Sequence, residues 1–284
     1  MRPECYFCHI KTIEKLINKF SPKGIVAEDF IFHIHELIRN KKDLSNPNLA
    51  RDIHSVARDM LNQNDLYAAE KENANSLLLK NYDHWKQRVS KSENPFKTAA
   101  KLAVIGNIID YAAHSVEEDL EKQIDLLYQD QLAIDQTHEL KEQINKSSSI
   151  LYLGDNAGEI VFDRLFIEVM DHPRLTYVVK GKPVINDVTL EDAQITGITE
   201  ICDVIDNGYD APSTLLDKCS NEFKNRYNDA DLIISKGQGN FEGLINSDHP
   251  NLFFLLMAKC RPMAEMLGVR KGDLLVKRNH PENS

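Results

Sequence analysis

The sequence predicts an α/β protein with a helical domain, in which an N-terminal multihelical bundle is joined to a three-layer α/β/α domain with a mixed, largely parallel sheet. Three observations support this fold class. Apolar residues recur at helical spacing from residue 9 to about 145, short apolar runs follow from residue 150, and a polar stretch at 145–149 separates the two patterns. The domains are expected to cover residues 1–146 and 147–284.

The N-terminal half has the periodicity of amphipathic helices. Apolar side chains recur at helical spacing in the segments 10–20, 30–38 and 49–61. Pro95 is placed to open a further helix, because proline is favoured in the first helical turn. Since no strand-like alternation interrupts this half, we expect a bundle of helices.

The C-terminal half is typical of a buried sheet, because its short apolar runs are each followed by turn residues. These runs lie at 150–153, 175–179, 184–185, 201–205, 232–234, 253–257 and 274–276. Amphipathic segments at 160–170 and 212–227 are expected to form helices that cover the faces of this sheet.

Composition and charge restrict the class of protein. A chain with 42% hydrophobic and 27% charged residues has an ordinary globular composition, and no apolar run approaches the roughly 20 residues needed to span a bilayer. The formal charge of -10 argues against a protein that holds nucleic acid by charge. The charged opening segment is unlike a signal peptide. We therefore expect a cytoplasmic protein with a small-molecule substrate and no membrane or nucleic-acid partner; the oligomeric state is not predicted.

Polar residues follow three of the predicted strands. Asp155 and Asn156 follow the first strand, Asp187 follows the next pair, and Lys236 ends a later one. Ligands of open α/β sheets bind beyond the carboxyl ends of the strands. Carboxylate and amide oxygens are the ligands that Mg²⁺ or Mn²⁺ prefers, and Lys236 would add positive charge opposite the metal. Such a site would neutralise a phosphate dianion and its transition state.

Glycines accompany these polar residues. Gly158 and Gly237 permit close approach of the backbone, and N–H groups at the start of the helix after Asn156 could hold a phosphate. The alternative is that the same residues are turn formers and helix caps. Three polar strand ends in one α/β half favour a binding site.

Three segments resemble the signature segments of the damage-control phosphatase family, a metal-dependent group formerly known as a domain of unknown function. They are GDNAGEIVFDRL at 154–165, NDVT at 186–189 and ADLIISKGQGNFEGL at 230–244. The opening PECYFC and the segment AVIGNIIDYA at 103–112 resemble the prokaryotic subfamily that carries a CxxC motif. The resemblance implies a helical domain joined to an α/β domain and hydrolysis of phosphomonoesters with a divalent metal, for which Mn, Mg, Co and Ni are candidates.

By matching motifs, the resemblance implies that Asp155, Asn156 and Asp187 are metal ligands and that Lys236 contacts phosphate. Asp155 and Lys236 are the expected catalytic residues, and Asp155 could either bind metal only or also attack phosphorus as a nucleophile. The expected substrate is a small phosphorylated metabolite or sugar phosphate. The candidate substrate-binding residues are Asn107, Asp110, Gly158, Glu159, Lys236 and Asn240.

Several of these candidates have simpler explanations. Asn107 and Asp110 are expected to share one face of a helix, but an Asn and an Asp on a solvated face would show the same spacing. Glu159 could be an acid placed favourably in the first turn of a helix.

Cys5 and Cys8 form half of a zinc or redox motif, and no second pair is spaced in the same way. Cys260 or His9 could complete a metal site in space. The alternative is a pair of reduced structural thiols or a labile disulfide.

Two other functions compete with phosphatase. A transferase such as a carboxyl methyltransferase could use the same fold, but the sequence contains no glycine-rich dinucleotide motif and no P-loop. Methyl transfer would also have little need for two metal-binding aspartates. The second alternative is a non-catalytic protein, either one that binds metal or phosphate or a scaffold whose helical half binds a protein partner. A failure to bind divalent metal would favour the scaffold.

Overall fold

The computed structural model describes residues 1–40, 45–106 and 117–279. The α-helices within these ranges are α1 (Pro3–Phe20), α2 (Ala27–Asn40), α3 (Asn46–Leu61), α4 (Ala68–Lys80), α5 (Tyr82–Ser90), α6 (Pro95–Ile105), α7 (Glu117–Gln129), α8 (Thr137–Lys146), α9 (Glu159–Met170), α10 (Leu190–Ile195), α11 (Asn221–Asp229), α12 (Gly237–Leu244) and α13 (Arg261–Leu267). The strands are β1 (Ile134–Asp135), β2 (Ile150–Leu153), β3 (Leu175–Val179), β4 (Asp203–Asp206), β5 (Leu232–Lys236), β6 (Leu252–Met257) and β7 (Leu274–Arg278).

The strands form one sheet in the order β1-β7-β6-β5-β2-β3-β4. All neighbouring strands run parallel except β6 and β7, which pair antiparallel. The predicted mixed, largely parallel sheet is therefore confirmed. Strand β2 lies between β3 and β5 and runs parallel to both, so the carboxyl ends of these three strands are neighbours.

The sheet is covered by helices on both faces. Tyr152 and Tyr177 belong to the hydrophobic cluster on one face, which includes apolar residues of α4 to α9. Leu151 and Val178 belong to the cluster on the opposite face, which includes residues of α11, α12 and α13. Successive strand residues point to opposite faces, so each strand supplies both cores. This arrangement confirms the three-layer α/β/α prediction.

Helices α1, α2 and α3 pack around a hydrophobic cluster of their own, and we call these three helices the cap. Phe20, Phe30 and Ile53 are fully buried in that cluster. The following helices, from α4 onward, instead share a core with the sheet, as in the edge-to-face contact of Trp85 with Phe162 at 5.4 Å. The hydrophobic clusters thus separate near residue 67, whereas the domain division at residue 146 stays a prediction.

Two predicted elements differ from the structure. Residues 184–185 form a turn, not a strand, and Ile185 has a φ of 46° that no strand residue adopts. The segment 212–220 is irregular, and α11 begins only at Asn221, where the Ser220 side chain accepts a hydrogen bond from Phe223 N. An apolar run alone therefore overestimates regular structure where the chain has to turn back towards the sheet.

Across the three described stretches of the chain, the helices are all too short or too polar to cross a lipid bilayer.

Candidate active site

The three predicted metal ligands converge at the carboxyl edge of the sheet. Asp155 and Asn156 follow β2, and the loop after β3 returns Asp187 beside them through a backbone bridge between Asn156 and Asp187. Val188 N donates a hydrogen bond to Asp155 O at 2.9 Å, which fixes the two loops against each other. The backbone thus brings together residues that lie 32 positions apart.

The side chains of this group are buried but reach a cavity. Asp155, Asn156 and Asp187 are 6%, 6% and 2% exposed, and all three line the same cavity wall. The Asn156 amide nitrogen donates to Asp155 Oδ2 at 2.7 Å and to Glu159 Oε2 at 3.3 Å. Because both bonds use the nitrogen, the amide oxygen is available as a ligand atom.

Gly237 supports the Asp155 carboxylate from the neighbouring strand. It has a φ of 75°, and a Cβ atom at this position would lie only 1.8 Å from Asp155 Oδ2. No other residue fits both the backbone conformation and the space. The start of α12 is therefore in direct contact with the proposed metal ligand.

The cavity lies between the cap and the α/β layers and has a volume of about 560 Å³. Its polar end is formed by the Asp155, Asn156 and Asp187 group. Its remaining wall is largely apolar and includes Pro47, Ala50, Ile185, Ile245, Pro262, Met263 and Met266. A phosphate at the polar end would leave room for a larger organic group on the apolar side.

The residues at the polar end fit a hard divalent cation. Two carboxylates and one amide oxygen supply three oxygen ligands, and the adjoining cavity leaves positions open for water and a substrate oxygen. Within the described residues, no group of three or more His, Cys, Asp or Glu side chains is arranged as a metal site. The fit therefore depends on the amide oxygen of Asn156 as the third ligand.

Lys236 lies beneath the cavity in a buried ion cluster. Its Nζ is 2.5 Å from Glu159 Oε1 and 2.5 Å from Asp163 Oδ1, and its side chain is completely buried. Asp163 also accepts hydrogen bonds from the hydroxyls of Tyr152 and Tyr177 at 2.7 and 2.9 Å. Burial alone would lower the pKa of Lys236, but the charges of Asp163 and Glu159 outweigh it and raise the pKa.

This position differs from the expected one. The ammonium of Lys236 contacts Glu159 and Asp163 and does not line the cavity in which a phosphate would bind. Glu159, fully buried, accepts a hydrogen bond from Asn156 as well, so the cluster supports a proposed metal ligand from below. The predicted phosphate contacts of Lys236 and Glu159 stay predictions.

Lys180 brings a second buried cation to the ligand group. It directly follows β3, and its Nζ lies 3.5 Å from Asp187 Oδ1 and donates to Asn240 Oδ1 at 2.9 Å. Asn240 is fully buried, and its amide nitrogen donates to Gly154 O and Lys236 O, at 3.0 and 2.9 Å. Asn240 thus ties three strand ends together, and its substrate contact stays a prediction. The sequence signal for Lys180 is its place immediately after a buried apolar run.

Gly158, a further substrate-binding candidate, does not line the cavity. The N–H of Gly158, expected to be available to phosphate, instead donates to Asn75 Oδ1 at 2.6 Å, which corrects that expectation. Asn107 and Asp110 lie outside the described residues.

Cys5, Cys8 and Cys260 line the same cavity, and all three are free thiols. Burial, and secondarily the charge of Glu242, raises the pKa of Cys5, which reduces the thiolate that metal binding and oxidation require. His9 is hydrogen-bonded to Asn46, at 2.8 Å. A metal or redox role for Cys5 and Cys8 stays a prediction.

The fold and this site together define a class of α/β proteins that place carboxylate side chains at the carboxyl edge of the sheet beneath a helical cap. Within that class, the chain belongs to the damage-control phosphatase ARMT1-like domain family, whose sequence profile matches residues 1–275. This membership confirms the family resemblance, while the CxxC subfamily stays a prediction.

Relatives agree with this assignment over most of the chain. The chain is 36% identical to a damage-control phosphatase of Archaeoglobus fulgidus, with 82% of each chain covered. It is 35% identical to an uncharacterized protein of Methanocaldococcus jannaschii, with 98% of this chain and 95% of that protein covered. The crystal structure of a DUF89 family protein from Pyrococcus horikoshii superimposes with a TM-score of 0.89 at 31% identity, covering 99% of both chains.

Proposed function

We propose that the chain is a metal-dependent phosphatase that hydrolyses small phosphomonoesters, such as phosphorylated metabolites or sugar phosphates. The observation that carries this proposal is the convergence of Asp155, Asn156 and Asp187 on one wall of a cavity of about 560 Å³. Membership of a phosphatase family supports the same reaction class. The metal would be Mn²⁺, Mg²⁺, Co²⁺ or Ni²⁺, because carboxylate and amide oxygens suit such ions.

A divalent ion held by these residues would supply Lewis-acid polarisation of a phosphoryl oxygen. The protein's own residues orient the ligands and the substrate. Asn156 holds the Asp155 carboxylate in place by a hydrogen bond of 2.7 Å, and Gly237 keeps the backbone of α12 against it. Lys180 lies behind Asp187, with its Nζ 3.5 Å from Asp187 Oδ1, and offsets part of the negative charge of the proposed ligand group.

The leaving group of the substrate would lie against the apolar wall of the cavity. Its apolar wall excludes water from one side of the substrate, which strengthens electrostatic contacts at the polar end. The proposed substrate is therefore a phosphomonoester small enough to be enclosed between the cap and the sheet.

The test is phosphate release from a panel of phosphorylated metabolites. Chelation should abolish hydrolysis, and addition of one of the four candidate metals should restore it. Asp155→Asn should lower turnover by a factor on the order of 10² or more while the protein stays folded, because a metal ligand is weakened. Asp203→Asn is the matched control, since Asp203 is an exposed carboxylate on the edge strand β4.

Full activity in chelated protein would refute metal dependence. Metal binding without phosphate release from any compound of the panel would favour the non-catalytic alternative.

A further inference from the structure

A buried polar network joins α4 to both loops that carry the proposed metal ligands. Its central members are Asn75, which is completely buried, and Asp192, which is 3% exposed. Buried polar side chains are costly unless they are fully hydrogen-bonded, so a network of this kind specifies one local geometry. None of its members lines the cavity, and none was expected from the sequence to take part in the site.

Asn75 holds the first ligand loop. Its Oδ1 accepts the backbone N–H of Gly158 at 2.6 Å, two residues after Asn156 in the chain. Its Nδ2 donates to Asp192 Oδ1 at 3.0 Å. Both ends of the amide are therefore committed, and the group connects the loop after β2 to Asp192.

Asp192 holds the second ligand loop. Its Oδ2 accepts from the backbone N–H and the hydroxyl of Thr189, at 2.9 and 2.8 Å, two residues after Asp187. This pair forms the capping box of α10. The same carboxylate is neutralised by Lys71, whose Nζ lies 2.9 Å away.

Lys71 completes the network from α4. Its Nζ is also 2.9 Å from Asp65 Oδ2, so one buried ammonium is shared between two carboxylates. Lys71 and its two carboxylate partners are thus a paired, charged cluster next to the ligand loops. Lys71 belongs to α4, which packs against α9. Such an anchor resists independent movement of either loop.

We propose that Asn75 and Asp192 are positioning residues that fix the distance between the Asp155–Asn156 loop and the Asp187 loop, and thereby set the affinity of the metal site. This inference rests on the proposed metal-dependent function. The two loops carry the three proposed metal ligands. Each loop is hydrogen-bonded to one member of the Asn75–Asp192 pair. Partners that orient ligands typically change metal affinity by about 10- to 100-fold when they are replaced.

The test measures Mn²⁺ binding to the purified full chain by calorimetry, with the thermal midpoint of the metal-free protein recorded in parallel. Asn75→Leu, which has a similar volume, should raise the Kd for Mn²⁺ by roughly 10- to 100-fold. Tyr227→Phe is the control: it removes a partly buried hydrogen bond to Ser247 on the opposite face of the sheet and should leave the Kd unchanged. A merely structural role would move only the thermal midpoint.

An exchange of the two side chains provides a second test. Asn75→Asp alone places two carboxylates against each other and should weaken Mn²⁺ binding. Combining Asn75→Asp with Asp192→Asn restores a hydrogen bond between an amide and a carboxylate, now with the amide at position 192. The double variant should recover most of the Mn²⁺ affinity. This comparison remains informative if Asn75→Leu does not fold.

The outcomes separate the two proposals. If the wild-type chain binds none of Mn²⁺, Mg²⁺, Co²⁺ and Ni²⁺, the proposed function fails together with this inference, and if it binds only one of the other three ions, the same comparison is made with that ion. If it binds Mn²⁺ and a folded Asn75→Leu variant binds equally well, or the exchanged pair binds no better than Asn75→Asp alone, only the positioning role is overturned.

Discussion

Gly237 shows how strongly a single position can determine the geometry of the site. Its φ of 75° lies in the left-handed region, and the missing Cβ leaves space that is filled by the Asp155 carboxylate. A side chain here would have to displace either α12 or Asp155. The identity of this residue is therefore dictated by a contact between two strand ends that are far apart in sequence.

Gly237→Ala should consequently lower both stability and metal binding. The strained backbone and the clash with Asp155 should reduce the free energy of unfolding by about 1 to 3 kcal/mol, and the displaced carboxylate should weaken metal binding. Gly268→Ala is a useful control, because Gly268 has a φ of 69° but no atom near its missing Cβ. Calorimetric unfolding and Mn²⁺ titration would measure both effects. Equal Mn²⁺ affinity in the two variants would contradict the proposed contact.

The residue scale also shows what the sequence could not predict. The placement of Asp155 and Asn156 was predictable, because they follow a parallel strand whose carboxyl end lies at the edge of the sheet. Asp187 was expected to follow a strand at 184–185 that the structure does not contain, and the loop after β3 places it beside Asn156 instead. Lys236 occupies the same kind of position, yet its ammonium points into the core, because Asp163 on α9 is buried beneath it. A strand-end lysine gives no sequence signal that distinguishes these two directions.

At the scale of elements, the cap is joined to the α/β layers by a charged clasp formed by Arg51, Arg58 and Asp210. Arg51 and Arg58 lie on α3, and their guanidinium groups donate to the two oxygens of Asp210 at 2.5 and 2.8 Å. Burial would raise the pKa of Asp210, but the hydrogen bonds from both arginines outweigh it and hold the pKa below its ordinary value. The clasp lies at the side of the cap and helps to keep α3 in place over the cavity.

Asp210→Ala should loosen the cap. Two partly exposed arginines would lose their shared partner, so we expect a loss of about 1 to 3 kcal/mol and faster hydrogen exchange in α3, with little change in the sheet. The wild-type clasp should be fully effective above the ordinary Asp pKa of about 3.9 and weaken as the pH falls through the lower folded value. Exchange measured by mass spectrometry at neutral and acidic pH checks both statements. Unchanged protection of α3 at neutral pH would show that the cap is held by other contacts.

Element boundaries were predictable where one pattern dominated. Strands β2 and β3 lie where their apolar runs predict, because both faces of each strand are buried. Strand β1 was not predicted, because it has only two residues, Ile134 and Asp135, and is defined by its pairing with β7. Such short edge strands depend on pairing rather than on their own composition.

At the scale of the whole molecule, metal binding should be coupled to global stability. Metal bound only by the folded protein adds about 2.7 kcal/mol when its concentration is 100 times the Kd. For a chain of 284 residues this corresponds to a rise of roughly 4 to 5 °C in the thermal midpoint. Scanning calorimetry with and without Mn²⁺ should show this shift in wild-type protein and in Asp203→Asn, but not in Asp187→Asn. A similar shift in Asp187→Asn would place the bound ion at another site.

The strand order has a further consequence for how the chain folds. Strand β2 pairs on one side with β3, the next strand along the chain, and on the other side with β5, which begins at residue 232. Pairing two strands that are separated by so many residues carries a high entropic cost and is slow. The helices of the cap need only local contacts. The contact between Gly237 and Asp155 can form only after β5 has joined β2. Competence to bind metal should therefore be one of the last properties the nascent chain acquires, after most of its helices have already formed.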